Sequence, residues 1–261
     1  MPSPFPQRFG RWALVAGASE GLGEAFAIGL ARRGMNLVLI ARRAELLDAL
    51  ATRLRADHAI EVRTLALDLA GEAWQDNVRA LAAELDLGLG VYNAAYSFVG
   101  ALLDRPLADA ERVVDVNARG PLRFVHALAP AMRTRGRGAI VLMSSLAGFQ
   151  GSPRLAAYAA SKAFITVLGE SLWAELRPHG VEVLVSCAGA IRTPGYLATA
   201  TRDAPGTLDP GVVAERTLKA IGKGPVVVPG AMNKVARFFL GRMLTRRAAV
   251  RVMAKSTADL S

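Results

Sequence analysis

Tyr158 and Lys162 stand four residues apart in Tyr158-Ala159-Ala160-Ser161-Lys162, a spacing that puts a phenol and an ammonium on one face of a helix. A phenol titrates near ~10, so it moves protons poorly at neutral pH unless a cation favours its phenolate. Lys162 can supply that cation, and Ser144-Ser145 a little upstream adds hydroxyl donors. Near the start, Ala16-Gly17-Ala18-Ser19-Glu20-Gly21-Leu22-Gly23 leads from an apolar run into a helical pattern. Glycines there let the backbone approach a pyrophosphate, and the helix that follows offers free N–H groups to its charge. About twenty residues on, where a carboxylate would hold the adenosine ribose of NAD, the chain reads Ala41-Arg42-Arg43. With no acid to repel a 2′-phosphate and guanidinium groups to grip one, NADP is favoured over NAD, although Glu20 adds negative charge nearby.

These groups need a scaffold that brings loop ends together. Apolar runs at 12–16, 37–40, 62–67, 89–92, 139–143, 181–187 and 226–228 alternate with helical patterns at 22–33, 44–55, 73–85, 109–133, 156–177 and 211–221. Most of the runs are apolar at consecutive positions, as expected of strands covered on both faces. The expectation is a single-domain α/β protein, a doubly wound Rossmann fold with a seven-stranded, mostly parallel sheet. Residues 192–210 show no period and read as a long, mobile connection.

In order along the chain, the glycine loop, Asn117, Ser145 and the Tyr158/Lys162 pair resemble the short-chain dehydrogenase/reductase family, from Trp12 to about Gly230. The resemblance selects Ser145 over Ser144 and implies hydride exchange between NADP(H) and a ketone or secondary alcohol. It gives Tyr158 the proton transfer, Ser145 a hydrogen bond to the same oxygen, Lys162 the nicotinamide ribose, and Asn117 a water that joins Lys162 to solvent. Through it Gly17, Ser19, Gly21, Leu22, Gly23, Arg42, Arg43, Asp68, Asn93, Ile191 and Thr193 become cofactor positions, Asp68 being equally readable as a helix cap. Departures from the family pattern are Ala16 for Thr, Ala95 for Gly after Asn93-Ala94, and Ala188 for Pro before Gly189. Leu146, Phe149, Leu155, Ile191, Tyr196 and Leu197, with Tyr96 and Phe98, would form an apolar substrate lining suited to a steroid, an acyl chain or an aryl ketone. A protein that kept the fold as a nucleotide sensor or scaffold and lost catalysis is the rival reading. Homo-oligomers, dimers or tetramers, are expected from the family, through the helices bearing Asn117 and Tyr158.

Composition sets outer limits. With 261 residues, 52% hydrophobic and 21% charged, the chain is globular and large enough to need no disulfide or metal. Cys187 stands alone, and His58, His126 and His179 lack ligand spacing, so no metal site is expected. No apolar run approaches the ~18 residues of a membrane span, and residues 1–10 do not read as a signal peptide, so a cytoplasmic location is expected. Of the net charge of +10, more than half falls in 231–261, where Lys234, Arg237, Arg242, Arg246, Arg247, Arg251 and Lys255 face only Asp259. This stretch reads as a basic helical extension of a catalytic domain spanning 1–230, with no part in the chemistry. Arg247, Arg251 and Lys255 recur beside Ala249, Val250 and Met253, so a solvated or dimer-contacting tail, a membrane surface and an acidic protein all remain open. Nucleic acid is disfavoured because no aromatic stacking platform accompanies the charge.

Overall fold

A computed structural model describes residues 5–258; the leader reading of residues 1–4 and the charge of Asp259 lie outside the described residues. In chain order the elements are α1 (Phe5–Phe9), β1 (Trp12–Ala16), α2 (Gly21–Ala31), β2 (Asn36–Ala41), α3 (Ala44–His58), β3 (Val62–Ala66), α4 (Trp74–Glu84), β4 (Leu87–Tyr92) and α5 (Leu107–Val114). Then follow α6 (Gly120–Arg135), β5 (Gly138–Ser145), α7 (Ala156–Leu176), β6 (Val181–Ala188), α8 (Pro194–Leu197), α9 (Pro210–Ala220), β7 (Val226–Val227), α10 (Ala231–Phe238) and α11 (Arg246–Ala258).

The seven strands form one sheet in the order β3-β2-β1-β4-β5-β6-β7, and every neighbouring pair is parallel. Alternate strand residues feed two separate cores. Ala13 and Val15 of β1 join Phe26 and Leu30 of α2, Leu50 of α3 and Leu218 of α9 on one face. Trp12, Leu14 and Ala16 join Trp74 of α4, Phe124 and Leu128 of α6 and Ile165 of α7 on the other. Burial on both faces is why the strand signals in the sequence are continuous apolar runs. The strand order reverses between β1 and β4, and a doubly wound sheet opens its binding crevice beyond the carboxyl ends of the strands at such a point.

Two segments differ from the sequence expectation. The helix expected over 109–133 is divided into α5 and α6 by a π-helical turn, Asp115–Arg119, that carries Asn117. Tyr92, buried at the end of β4, donates its hydroxyl to the carbonyl oxygen of Val116 at 2.7 Å and holds the wide turn in place. The connection over 192–210 is not free of structure: it contains α8, Ile191 bridges to Leu208, and Arg192 reaches both Asp203 and Asp209. Among the described residues no helix is long and apolar enough to cross a membrane, and no cluster of His, Cys, Asp and Glu could hold a metal.

Candidate active site

A cavity of about 880 Å³ opens over the carboxyl ends of β1, β4, β5 and β6. On one side lie Gly17, Ser19, Glu20, Gly21 and Leu22, at the mouth of α2. Gly17 has φ +82°, and a Cβ there would stand 2.6 Å from the backbone nitrogen of Ala94, so the turn accepts no larger residue. Asn93 closes the same corner by donating from Nδ2 to the Gly17 carbonyl at 3.0 Å. Gly23 is set back from the cavity, packed against Gly17, and shapes the loop without lining the space. Glu20 precedes α2 without capping it, leaving the first N–H groups of the helix uncapped by its side chain.

The two arginines divide their roles. Arg43 pairs with Glu20 at 2.7 Å and donates to Ser19 Oγ at 3.1 Å, so the acid that weighed against a 2′-phosphate is already answered. Arg42 lines the cavity with no such ion pair among the described residues, its field acting on Asp68. Asp68 does not cap α4, which begins only at Trp74; it accepts from the Ala70 N–H and pairs with Arg112 at 2.7 Å. Desolvation raises its carboxyl, but the hydrogen bonds from Arg112 and Ala70 and the charges of Arg112 and Arg42 together outweigh it and hold the group below the usual range. Arg112, whose guanidinium lies 5.5 Å above the Tyr96 ring, was not legible as a cavity residue because α5 meets this wall only through tertiary packing.

Opposite the glycine loop, β5 ends in the two serines and α7 presents Tyr158 and Lys162. Helix and sheet approach closely at Gly169, where a Cβ would stand 2.1 Å from Val185. Ser144 Oγ donates to the Lys162 carbonyl at 2.7 Å and lies 2.8 Å from Thr166 Oγ1, so it is spent on seating α7. Ser145 Oγ accepts from the Ala147 N–H at 3.2 Å and keeps its own proton to donate, beside the phenol of Tyr158, whose ionised form it favours.

Lys162 is buried and donates from Nζ to the Met143 carbonyl at 2.8 Å, with Nζ 5.5 Å from the centre of the Tyr158 ring. Its other two N–H groups have no protein acceptor among the described residues. Desolvation pulls the amine down to about 8, only slightly opposed by its neighbours. Burial pushes the phenol of Tyr158 up, with the Ser145 hydrogen bond opposing. Lys162, turned to Met143, is not among the groups that lower the phenol, and desolvation is the largest influence on both groups.

The Lys162 amine titrates in the folded chain at about 8 against an ordinary 10.5, so the unfolded chain holds more protons across that window. The destabilising contribution of this group is thus fully present below pH 8 and fades as pH rises toward 10.5. Lys162→Met is expected to melt higher than the parent at neutral pH in the absence of ligand, with the difference shrinking between pH 8 and 10. Differential scanning calorimetry across that range checks it.

Asn117 is held by its side chain. Its Nδ2 donates to the Tyr96 carbonyl at 2.9 Å and to Ser161 Oγ at 3.1 Å, while Oδ1 accepts from the Tyr96 N–H at 2.8 Å. Both amide hydrogens are used, so the side chain ties the segment after β4 to the helices. Asn117→Ala would remove the partners of the part-buried backbone groups of Tyr96 and is expected to cost about 1–3 kcal/mol of stability, read by urea unfolding.

On the substrate side Leu155, Ile191, Tyr196, Tyr96 and Phe98 line the cavity, but Leu146, Phe149 and Leu197 do not. After Ser145 the chain enters a 3-10 turn, Leu146–Phe149, that faces Ala147 to the cavity and packs Leu146 and Phe149, half-buried, against the core. Leu197, at the end of the single turn α8, faces solvent. Thr193 lines the cavity, with its Oγ1 accepting from the Tyr196 N–H at 3.3 Å and its methyl against Gly21.

The C-terminal extension packs on the loop that joins Ser145 to Tyr158. Arg246 donates to the Phe149 carbonyl at 2.6 Å, the Arg237 guanidinium lies 4.5 Å over the Phe149 ring, and Thr257 Oγ1 donates to the Pro153 carbonyl at 2.8 Å. Ala249 is buried and Val250 touches Gly151. Ala249 and Val250 of α11 thereby pack toward the loop that joins Ser145 to Tyr158, while Val252 is exposed.

Comparison with known proteins agrees with this geometry. The family model described as short chain dehydrogenase matches residues 11–203. A 7beta-hydroxysteroid dehydrogenase of Collinsella aerofaciens is 31% identical over 234 residues, covering 87% of this chain and 89% of the relative. A very-long-chain 3-oxoacyl-CoA reductase of Podospora anserina is 40% identical over 179 residues, 67% of this chain; the match spans 53% of that longer protein. Among solved structures, a 7beta-hydroxysteroid dehydrogenase superposes with a TM-score of 0.89 at 29% identity, over 95% of this chain and 98% of that one. A short-chain dehydrogenase from Sphingobium yanoikuyae in complex with NADPH superposes at 0.79 with 31% identity, over 87% and 90%. Fold, cavity and family model agree, and the chain belongs to the short-chain dehydrogenase family of oxidoreductases.

Proposed function

We propose that this chain is an NADP(H)-dependent reductase of lipophilic ketones, or the corresponding alcohol dehydrogenase. The observation that carries the reading is the meeting of the Tyr158 phenol, the Ser145 hydroxyl and a buried, under-partnered Lys162 amine opposite a glycine loop in one cavity. Members of the family bind a nicotinamide dinucleotide, and the residues present suit one. Gly17, Ser19, Gly21 and Leu22 would meet its pyrophosphate, Arg42 a 2′-phosphate, and Asp68 and Asn93 the adenosine side. Ile191 and Thr193 would lie along the nicotinamide amide. The two unanswered N–H groups of Lys162 ask for hydroxyl acceptors, which a ribose provides.

The chemistry a bound nicotinamide supplies is hydride transfer. Tyr158 gives its proton to the substrate oxygen in reduction and takes it back in oxidation. Ser145 donates to the same oxygen and fixes its direction, in a site where burial strengthens the bond. Lys162, once drawn from Met143 toward a ribose, offers positive charge to the phenolate left behind. A proton route from Lys162 to solvent through Asn117 would run by the main chain of the π-helical turn, since the side chain is occupied.

The apolar lining by Leu155, Ile191, Tyr196, Tyr96 and Phe98 supports a bulky, lipophilic carbonyl, and the names of relatives acting on hydroxysteroids and 3-oxoacyl-CoA point the same way. Exposed Leu107 and Val114 on α5 with Phe164 and Val167 on α7 support a homo-oligomer through those faces. A reducing cytoplasmic setting suits the lone buried thiol of Cys187. Following NADPH and NADH absorbance against steroid, acyl and aryl ketones tests the reading. NADPH-dependent turnover of at least one class supports it, and binding of NADPH with no turnover of any carbonyl overturns it in favour of a sensor or scaffold.

A further inference from the structure

We propose that α10 and the turn after it form a docking face for an anionic phospholipid bilayer, setting the substrate side of the cavity against the membrane. Met232 and Val235 of α10 and Phe239 and Met243 of the following π-helical turn, Phe239–Met243, recur at helical steps on the outside of the molecule. Phe238 and Phe239, 54% and 53% exposed, pack edge to face with ring centres 5.9 Å apart and otherwise present their faces to solvent. An aromatic and aliphatic stripe of this kind is expensive to leave in water and marks a contact surface.

The charge around it names the occupant. Residues 231–258 contain no Asp or Glu, while Lys234, Arg242 and Arg247 beside the stripe make no ion pair among the described residues. Arg251 and Lys255 extend the same unpaired charge along α11. Two copies of this chain joined face to face would bring these cations together, which argues against self-association; an anionic headgroup layer answers them, and the rings enter the acyl boundary beneath.

The face is also anchored to the walls of the cavity. Asn233, buried at the start of α10, donates to the carbonyls of Gly206 and Pro229 and packs on Gly189, in the loop that carries Ile191 and Tyr196. From the same helix Arg237 covers Phe149 in the loop that leads to Leu155. Delivery of a lipophilic carbonyl from the bilayer rests on the reductase reading above; the docking itself does not.

Sedimentation of the full chain with vesicles of phosphatidylcholine, alone or with about one third phosphatidylglycerol, tests it. Binding to the phosphatidylglycerol vesicles is expected, at least about tenfold over the neutral ones and weakened by salt. The double variants Phe238→Ser/Phe239→Ser and Lys234→Glu/Arg242→Glu should each lose about tenfold or more of that binding. Both should keep their melting temperature and their turnover of a small water-soluble ketone within about twofold, since these side chains lie outside the cavity. Failure to bind, equal binding to both vesicles, or unchanged binding by the variants would overturn the proposal. So would a dimer in size-exclusion chromatography that the Phe double variant dissociates, since the face would then belong to a second copy. Binding is read without turnover, so a chain that docks yet reduces no ketone refutes the reductase reading and leaves the docking standing.

Discussion

Tyr158→Phe is expected to lower kcat by about 10³- to 10⁴-fold while leaving the dissociation constant for NADPH within about twofold. The substitution removes one oxygen and keeps the ring that packs in the wall of the cavity, with Lys162 Nζ still 5.5 Å from its centre. What disappears is the proton that must reach the substrate oxygen and the hydroxyl that stands beside Ser145. Ser145 would remain able to polarise the oxygen, which sets the floor on the residual rate. Steady-state NADPH consumption measures the first effect and fluorescence titration of NADPH the second. An unchanged kcat would remove Tyr158 from the chemistry. A parent chain as silent as the variant would favour the scaffold.

Arg42→Ala is expected to weaken NADPH binding by about 30- to 100-fold and NADH binding by no more than about threefold. Arg42 lines the cavity uncommitted to any carboxylate by an ion pair, so its guanidinium can meet a 2′-phosphate without breaking another interaction. Arg43 is different: it is held by Glu20 and Ser19, and Arg43→Ala would also uncover the Glu20 carboxylate. Comparing the two variants with both cofactors separates direct recognition from the indirect effect of freeing an acid. A parent chain that prefers NADH would refute the assignment of Arg42.

The strands were legible because they are buried twice. From 12–16 onward, each expected run falls on an observed strand within a few residues; β1, β2, β4, β5 and β6 are buried on both faces and so almost continuously apolar, while the edge strands β3 and β7 are only partly buried. The glycine loop and the Tyr158/Lys162 spacing were legible for a similar reason: a tight turn before a helix and a four-residue step on a helix are local properties of the chain.

Other features had no local signature. Asn117 could be picked out by its place in the motif, but that its amide would be consumed by Tyr96 and Ser161 follows from three segments meeting in space. Leu146, Phe149 and Leu197 are as apolar as Leu155, and only the direction of a 3-10 turn and a one-turn helix sends them away from the cavity. The basic tail likewise declared its charge in its composition, but not that α11 would bind the loop after Ser145 while α10 kept its apolar stripe outside.

By itself, then, the amino-acid order determined the alternation of strands and helices, the loop suited to a dinucleotide and the chemical types of the reacting groups, because each depends on residues close along the chain. Only the tertiary structure decided which carboxylate answers which arginine, where the phenol and the amine titrate, and which apolar side chains face the cavity. Those properties depend on desolvation and on partners distant in sequence: Lys162 is turned to Met143, and Arg112 to Asp68, by the packing of whole elements.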